Sequence, residues 1–240
     1  MIQYIVSSLE PVTLIGAGAL GAHDLASALA LAPSLVAADG GANLALAAGY
    51  SPEAVIGDFD SLPAATQAQI PPERLHHVAE QDSTDFEKTL MRVEAPVILG
   101  VGFMGARVDH QLAALHSLLA YAHKPIILLS EEVLILHCPP VLEITVPKQA
   151  TVSLFPLAPV TGQSEGLEWP IDGIDMAPGH QIGTSNRAVG THVKITMQSR
   201  GMIGLFPRVC LADLVASLLG APKHALWPAL EGQYKDLPQS

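Results

Sequence analysis

The chain has 240 residues and nearly half are hydrophobic, but few are aromatic, so Ala, Leu, Val and Ile must build the core. That length suffices for one large domain or two modest ones. A formal net charge of -11 argues against general affinity for nucleic acid, which needs a basic face, but leaves room for an anionic substrate if a metal ion supplies positive charge.

Pro11 to Ile15 reads as a short strand running into Gly16-Ala17-Gly18-Ala19-Leu20-Gly21, and Asp24 to Ala32 reads as a helix. Glycines so spaced between strand and helix match the dinucleotide-binding fingerprint, with Asp39 near the place of a ribose-binding acid. The choice here is between an NAD(P)-dependent oxidoreductase and a tight phosphate-side loop. Leu35 to Ala38 is the next strand, and Asp39-Gly40-Gly41-Ala42-Asn43 leads into a small-residue helix from Ala42 to Ala48. Paired glycines let backbone N–H groups approach a ligand, although Asp39 as a helix N-cap would explain the same residues. Gly49 fits the end of that helix, and Ser51-Pro52 fits a turn.

Ala54 to Ile56 forms a strand that delivers Gly57-Asp58-Phe59-Asp60-Ser61. In an extended segment Asp58 and Asp60 share a side, because side chains alternate with period two. Converging carboxylates repel unless a cation or proton lies between them, and an all-oxygen site suits Mg²⁺. Nine of the 23 acids lie between Glu53 and Glu94, so the charge is concentrated here. A short helix around Ala64 to Gln69 and a surface pair, His76-His77, precede Gln81-Asp82-Ser83-Thr84-Asp85. The helix from Phe86 to Arg92 takes Asp82 or Thr84 as its cap, and Asp85 complements its positive end.

Pro96 to Val101 is an apolar strand, and the turn after it ends in Arg107-Val108-Asp109-His110. It offers a guanidinium for phosphate, another carboxylate, and an imidazole that is either a proton shuttle or a polar helix start. Gln111 to Ala122 reads as a helix and Pro125 to Leu129 as the last strand of an open α/β sheet, with each polar cluster after a strand. Beyond Ser130, Val133 to His137, Leu142 to Val146, Thr151 to Phe155 and Thr191 to Thr196 are short β runs set apart by Pro and Gly. They predict a smaller, all-β, sandwich-like domain, dividing the chain into 1–130 and 131–240. Within it, Thr184-Ser185-Asn186 is either a polar set for reading a ring edge or a turn. Leu211 to Leu219 reads as a helix, and the tail from Ala221 carries no motif. Cys138 and Cys210 form no CxxC pair, the N-terminus has no basic signal region, and no apolar run spans a membrane, so a cytoplasmic location is expected.

Taken together, the clusters resemble the thiamin pyrophosphokinase family from about Asp39 to Asn186. The resemblance rests on Ala38-Asp39-Gly40-Gly41-Ala42-Asn43, Gly57-Asp58-Phe59-Asp60-Ser61, the stretch from Gln81 to Lys88, and Gly105-Ala106-Arg107-Val108-Asp109-His110. Gly166-Leu167-Glu168-Trp169 and Thr184-Ser185-Asn186 support it from the β half. It implies an α/β nucleotide-binding domain plus a β-sandwich domain in a homodimer, with thiamin bound between subunits. The implied reaction moves a pyrophosphoryl group from ATP to the thiamin hydroxyl. Asp58, Asp60 and Asp85 would hold Mg²⁺, and with Arg107 and Asp109 they form the implied catalytic set. ATP would meet Asp39, Gly40, Gly41, Asn43, Asp82, Thr84, Asp85, Lys88, Arg107 and His110. Thiamin would meet Gln81, Asp109, Thr184, Ser185 and Asn186. The chain departs from the family pattern at Ala106, where a second Gly is usual, and at Ala114, where Asn is common. It also lacks a clear stacking aromatic near the C-terminus. A non-catalytic nucleotide- or thiamin-binding protein is the remaining alternative, and the full set of acids argues against it.

Overall fold

The structure, a computed structural model, describes residues 4–105, 107–222 and 226–230. Ala106 and the end of the tail therefore lie outside the described residues. The first half runs β1 (Val6–Ser7), β2 (Val12–Ile15), α1 (Asp24–Leu29), β3 (Ser34–Ala38), α2 (Gly41–Ala47), β4 (Ala54–Gly57), α3 (Ala64–Gln67), β5 (Leu75–His77) and α4 (Asp85–Arg92). It continues through β6 (Val93–Glu94), β7 (Ile98–Val101), α5 (Val108–Ala120) and β8 (Ile126–Leu129). The second half is β9 (Val133–His137), β10 (Val141–Thr145), β11 (Thr151–Pro156), β12 (Gly162–Glu165), β13 (Gly183–Arg187), β14 (His192–Met197), β15 (Met202–Pro207) and α6 (Leu211–Gly220).

Strands β8-β7-β2-β3-β4-β5 are adjacent and parallel. On one face, Leu14, Val36, Ile56 and Ile98 share a core with Phe86 and Leu90 of α4 and Leu118 of α5. On the other, Ile15, Ala37, Val55 and Leu99 share a core with Leu25 of α1 and Ala42 of α2. Helices cover both faces, so the inner strands are apolar throughout rather than alternating. Each fully buried Leu or Ile side chain contributes about 1.5–3 kcal/mol. The chain passes from β2 outward to β3, β4 and β5, then returns to β7 on the other side of β2. Loops leaving the carboxyl ends of the strands at such a reversal diverge and open a crevice.

Antiparallel pairing of β8 with β9 carries the sheet past Ser130. The result is one sheet of ten strands, β13-β11-β15-β9-β8-β7-β2-β3-β4-β5. A separate three-stranded sheet, β10-β14-β12, completes the sandwich. Leu142 and Ile144 of β10 and Val193 and Ile195 of β14 join one core with Val152, Leu154 and Phe206 of the large sheet. Helix α6 adds Leu211, Leu214 and Leu218 to that core. One leaf of the sandwich is therefore an extension of the α/β sheet. Strands β1, β5, β6, β12, β13 and β15 were not anticipated from the sequence. In β5, β12 and β13 the His, Gly, Ser, Thr and Asn content hides the strand, and backbone pairing with neighbours supplies what composition does not.

Candidate active site

Asp39 follows β3 with φ 40°, and its N–H still donates to Ile56 O of β4 at 2.9 Å. Gly57 ends β4 directly beside it. A Cβ on Gly57 would lie 2.6 Å from Asp39 Cβ, so only glycine lets the carboxylate in. Phe59 then turns the chain with φ 65°, and its ring meets His77 edge-on at 5.5 Å between centroids. Asp58 and Asp60 do converge, but through this left-handed turn rather than through strand alternation, because the strand stops at Gly57. Such backbone costs of order 1–3 kcal/mol per residue and marks places where the surroundings over-determine the conformation.

Asp39, Asp58 and Asp60 each bring one carboxylate oxygen within 4.8 Å of the other two. Asp39 is 1% exposed. Its Oδ2 accepts the Ser61 N–H at 3.1 Å, so it does not cap α2, and its Oδ1 is buried without a partner. Asp58 Oδ2 accepts from Lys88 Nζ at 2.7 Å and from Gln81 Nε2 at 3.0 Å, while Oδ1 faces the Asp60 N–H at 3.3 Å. Lys88 Nζ also reaches Asp85 Oδ1 at 3.2 Å. Helix α4 places Lys88 and Asp85 there, and a capping box between Thr84 and Glu87 fixes its first turn. Glu80, which the sequence reading did not single out, accepts the Asp82 and Ser83 N–H groups and folds the preceding acidic loop.

The hydrogen bond from Lys88 holds Asp58 down to about 2. Burial pushes Asp39 up, with the charges of Asp85, Asp58 and Asp60 adding to the effect. Burial likewise raises Asp85, against the opposing pull of Lys88. The Lys88 ammonium pairs with two of these four carboxylates, Asp58 and Asp85, so the crevice stays electronegative. Oxygen-only donors and the orphaned Asp39 Oδ1 fit a hard divalent cation such as Mg²⁺. Asp39, expected only as an ATP contact, belongs geometrically with Asp58 and Asp60, and Asp85, held by Lys88, lies close enough for its charge to raise Asp39.

Other expected residues fall into distinct places. Gly40 and Gly41 open α2, and a Cβ on Gly41 would lie 2.1 Å from Ile15 O. Asn43 donates to Ser61 O at 3.2 Å and accepts from Thr66 at 2.7 Å, so it braces the acidic loop. The Thr84 hydroxyl is engaged in its cap. Lys88, expected to meet ATP, is 2% exposed and lies beneath the carboxylates instead. Arg107 grips Asp109 through two nitrogens at 3.2 and 2.6 Å, in the open, with exposed His110 beside them. Asp82 is exposed as well.

The Gly16–Gly21 loop does not form a dinucleotide cradle. Gly16 N–H donates to Val101 O at 2.9 Å, Gly18 N–H to Gly102 O at 2.8 Å and Gly21 N–H to Asp24 Oδ2 at 2.9 Å. All three glycine donors are engaged, and the loop joins the β2 and β7 ends. Asp24 in turn takes Arg208 from the end of β15 at 2.7 Å, which ties this loop to the sandwich.

In the β half, Asn186 is buried and fully engaged with the Trp169 backbone, accepting its N–H at 3.2 Å and donating to its O at 2.6 Å. Ser185 has φ 59°, and its N–H donates to Ser153 Oγ at 2.9 Å. Thr184 lines a cavity of about 280 Å³ with Trp169, Ile174, Met176, Gln181 and Ile182.

Two family models match this chain, "Thiamin pyrophosphokinase, catalytic domain" over residues 25–129 and "Thiamin pyrophosphokinase, vitamin B1 binding domain" over residues 136–202. The chain belongs to the thiamin pyrophosphokinase family. Thiamine pyrophosphokinase 1 of Arabidopsis thaliana is 26% identical over 196 residues, covering 68% of this chain and 73% of that protein. Thiamin pyrophosphokinase 1 of Caenorhabditis elegans is 27% identical over 165 residues, covering 62% and 67%. The crystal structure of thiamin pyrophosphokinase from Geobacillus thermodenitrificans superposes with a TM-score of 0.69 at 25% identity, covering 84% of this chain and 100% of that one. Thiamin pyrophosphokinase from Candida albicans shares the fold, with a TM-score of 0.72 at 17% identity over 85% and 93%. The two thiamin pyrophosphokinase matches flank the β8–β9 turn, and the acidic cluster falls inside the catalytic match while the Thr184 cavity falls inside the vitamin B1 match.

Proposed function

We propose that this protein transfers the pyrophosphoryl group of ATP to the hydroxyl of thiamin, giving thiamin diphosphate and AMP. The observation that carries the reading is the cluster of Asp39, Asp58 and Asp60, with an orphaned oxygen, at the carboxyl ends of parallel strands. Family membership supplies the substrates. In the reaction the thiamin hydroxyl oxygen bonds to the β-phosphorus, the bond from that phosphorus to the oxygen bridging the α-phosphate breaks, and AMP leaves with the electron pair. The hydroxyl proton passes to a carboxylate of the cluster.

A divalent cation such as Mg²⁺, held by Asp39, Asp58 and Asp60 with Asp85 nearby, would supply the charge that offsets the phosphates. Lys88 and Gln81 orient Asp58 for that role, and the turn at Phe59 orients Asp60. Arg107 lies in water with Asp109, where an ion pair is weak, so its planar fork can exchange the carboxylate for a phosphate. Thiamin is cationic, and the electronegative crevice attracts it. Positioning accounts for most of the remaining acceleration in transfers of this kind.

The sheet order supports a homodimer with shared sites. β13, with Thr184, is seven strand positions from β3, with Asp39 beyond its end, a path of roughly 34 Å at ~4.8 Å per strand. Thiamin cannot bridge that distance, so a site using both ends draws them from two chains. On this division of labour residues 1–130 bind ATP and the metal, and residues 131–240 bind thiamin. The free thiols of Cys138 and Cys210 support a reducing, cytoplasmic setting. The engaged amides of Gly16 and Gly18 speak against the NAD(P) reading.

A ³¹P NMR time course with ATP, Mg²⁺ and thiamin tests the reaction. AMP and thiamin diphosphate should appear together. ADP with thiamin monophosphate, or no thiamin-dependent change in folded protein, would refute it.

A further inference from the structure

Lys88 is the unusual residue of the cluster. A lysine is rarely this buried unless it is paired, and here its ammonium is shared between Asp58 Oδ2 at 2.7 Å and Asp85 Oδ1 at 3.2 Å. At 2% exposure it offers no surface to a nucleotide. What it does is act on Asp58. Gln81 Nε2 lies on the same oxygen at 3.0 Å, so Oδ2 carries two donors, whereas Oδ1 has only the long 3.3 Å contact to the Asp60 N–H. A cation joining Asp39 and Asp60 would meet Asp58 through Oδ1 alone.

That limit separates two common ions. Mg²⁺ takes single oxygens in a tight octahedron and keeps several waters, whereas Ca²⁺ takes more ligands and readily binds carboxylates through both oxygens. We infer that Lys88 is a positioning residue that selects the metal. By holding Oδ2 of Asp58 it keeps that carboxylate a one-oxygen ligand and favours Mg²⁺ over Ca²⁺. The inference rests on the metal site placed at Asp39, Asp58 and Asp60 under the proposed function.

The rival account makes Lys88 only a counter-charge for the acids. Removing a counter-charge strengthens binding of both divalent ions alike, and loss of packing weakens both alike. The ratio of the two affinities is insensitive to either effect and reports the oxygens Asp58 can offer.

The test is calorimetric titration of the metal-free full chain with MgCl₂ and, separately, CaCl₂, with folding checked by circular dichroism. Wild type should prefer Mg²⁺. In Lys88→Met the Mg²⁺/Ca²⁺ affinity ratio should fall by about tenfold, the lower end of the effect of removing an outer-sphere partner, and Lys88→Arg should retain most of it. If Lys88→Met does not fold, Gln81→Leu removes the second donor from the same oxygen at an exposed position and should lower the ratio in the same direction. An unchanged ratio in folded Lys88→Met overturns the inference; if that variant is unfolded, an unchanged ratio in Gln81→Leu does so. No ATP or thiamin is present, so metal selection without pyrophosphoryl transfer would count against the proposed reaction alone. Binding of neither ion by the wild type would overturn the metal site and the inference together.

Discussion

A site shared between two chains predicts a specific recovery of activity when two inactive proteins are mixed. Asp60→Asn removes a carboxylate from the acidic cluster, and removal of one preorganised electrostatic group typically lowers turnover by about 10²–10³-fold. Thr184→Phe places a bulky ring in the cavity of about 280 Å³ that Thr184 lines, a region roughly 34 Å along the sheet from the acids. In a mixed dimer, one site carries both substitutions and the other carries neither. Random reassociation of equal amounts makes half of the dimers mixed, so about a quarter of wild-type activity should return in a coupled assay for AMP release. A site contained in one chain would instead have one defect in every copy. Activity of the re-associated mixture no higher than the mean of the two parents would refute the shared site.

Two further outcomes follow from packing and charge. Gly41→Ala should destabilise the fold by about 1–3 kcal/mol in urea unfolding, because its Cβ would meet Ile15 O at 2.1 Å; an unchanged midpoint would show that α2 relaxes away from β2 at no cost. The pH dependence has a definite sign. Asp58 is lowered from 3.8 to about 2, first by Lys88, so its stabilisation is present above about pH 4 and is lost as pH falls through about 2. Asp39 and Asp85, pushed up by burial, act in the opposite direction, so the readout is a difference between two proteins. In EDTA, Lys88→Met should lose its circular dichroism signal at higher pH than wild type; coincident acid transitions would mean that the Lys88–Asp58 contact adds no stability.

Much of the α/β half was legible because its strands are covered on both faces. Val12 to Ile15, Ser34 to Ala38 and Ile98 to Val101 are short, mostly apolar runs ended by glycine or aspartate, and no long-range information is needed to read them. The grouping of Asp58 with Asp60 was legible from proximity, but its geometric basis was not. Strand alternation predicted it, whereas the left-handed turn at Phe59 produces it, and a positive φ at phenylalanine has no compositional signal. Asp39 joins the cluster because β3 and β4 pair in parallel, and the space left by Gly57 is apparent only once that register is known. Lys88 illustrates the same limit differently. Its four-carbon stem can carry the ammonium to solvent or inward, and only the position of α4 over β4 decides which.

The polar strands mark the other limit. Thr184-Ser185-Asn186 has the composition of a turn, yet it lies in β13 because β11 supplies its backbone partners. The Gly16–Gly21 spacing has the form of a phosphate loop, yet Val101 and Gly102 take two of its donors. Alone, the sequence determined the two textures of the chain, its acidic loops and its family, because apolar periodicity and short-range motifs are local properties. Tertiary structure alone decided that the sheet continues past Ser130, that Asp39 completes the acidic cluster, and that Thr184 lies far from it. Those facts depend on strand order and register, which arise from pairing between distant segments and are not encoded in the spacing of neighbouring residues.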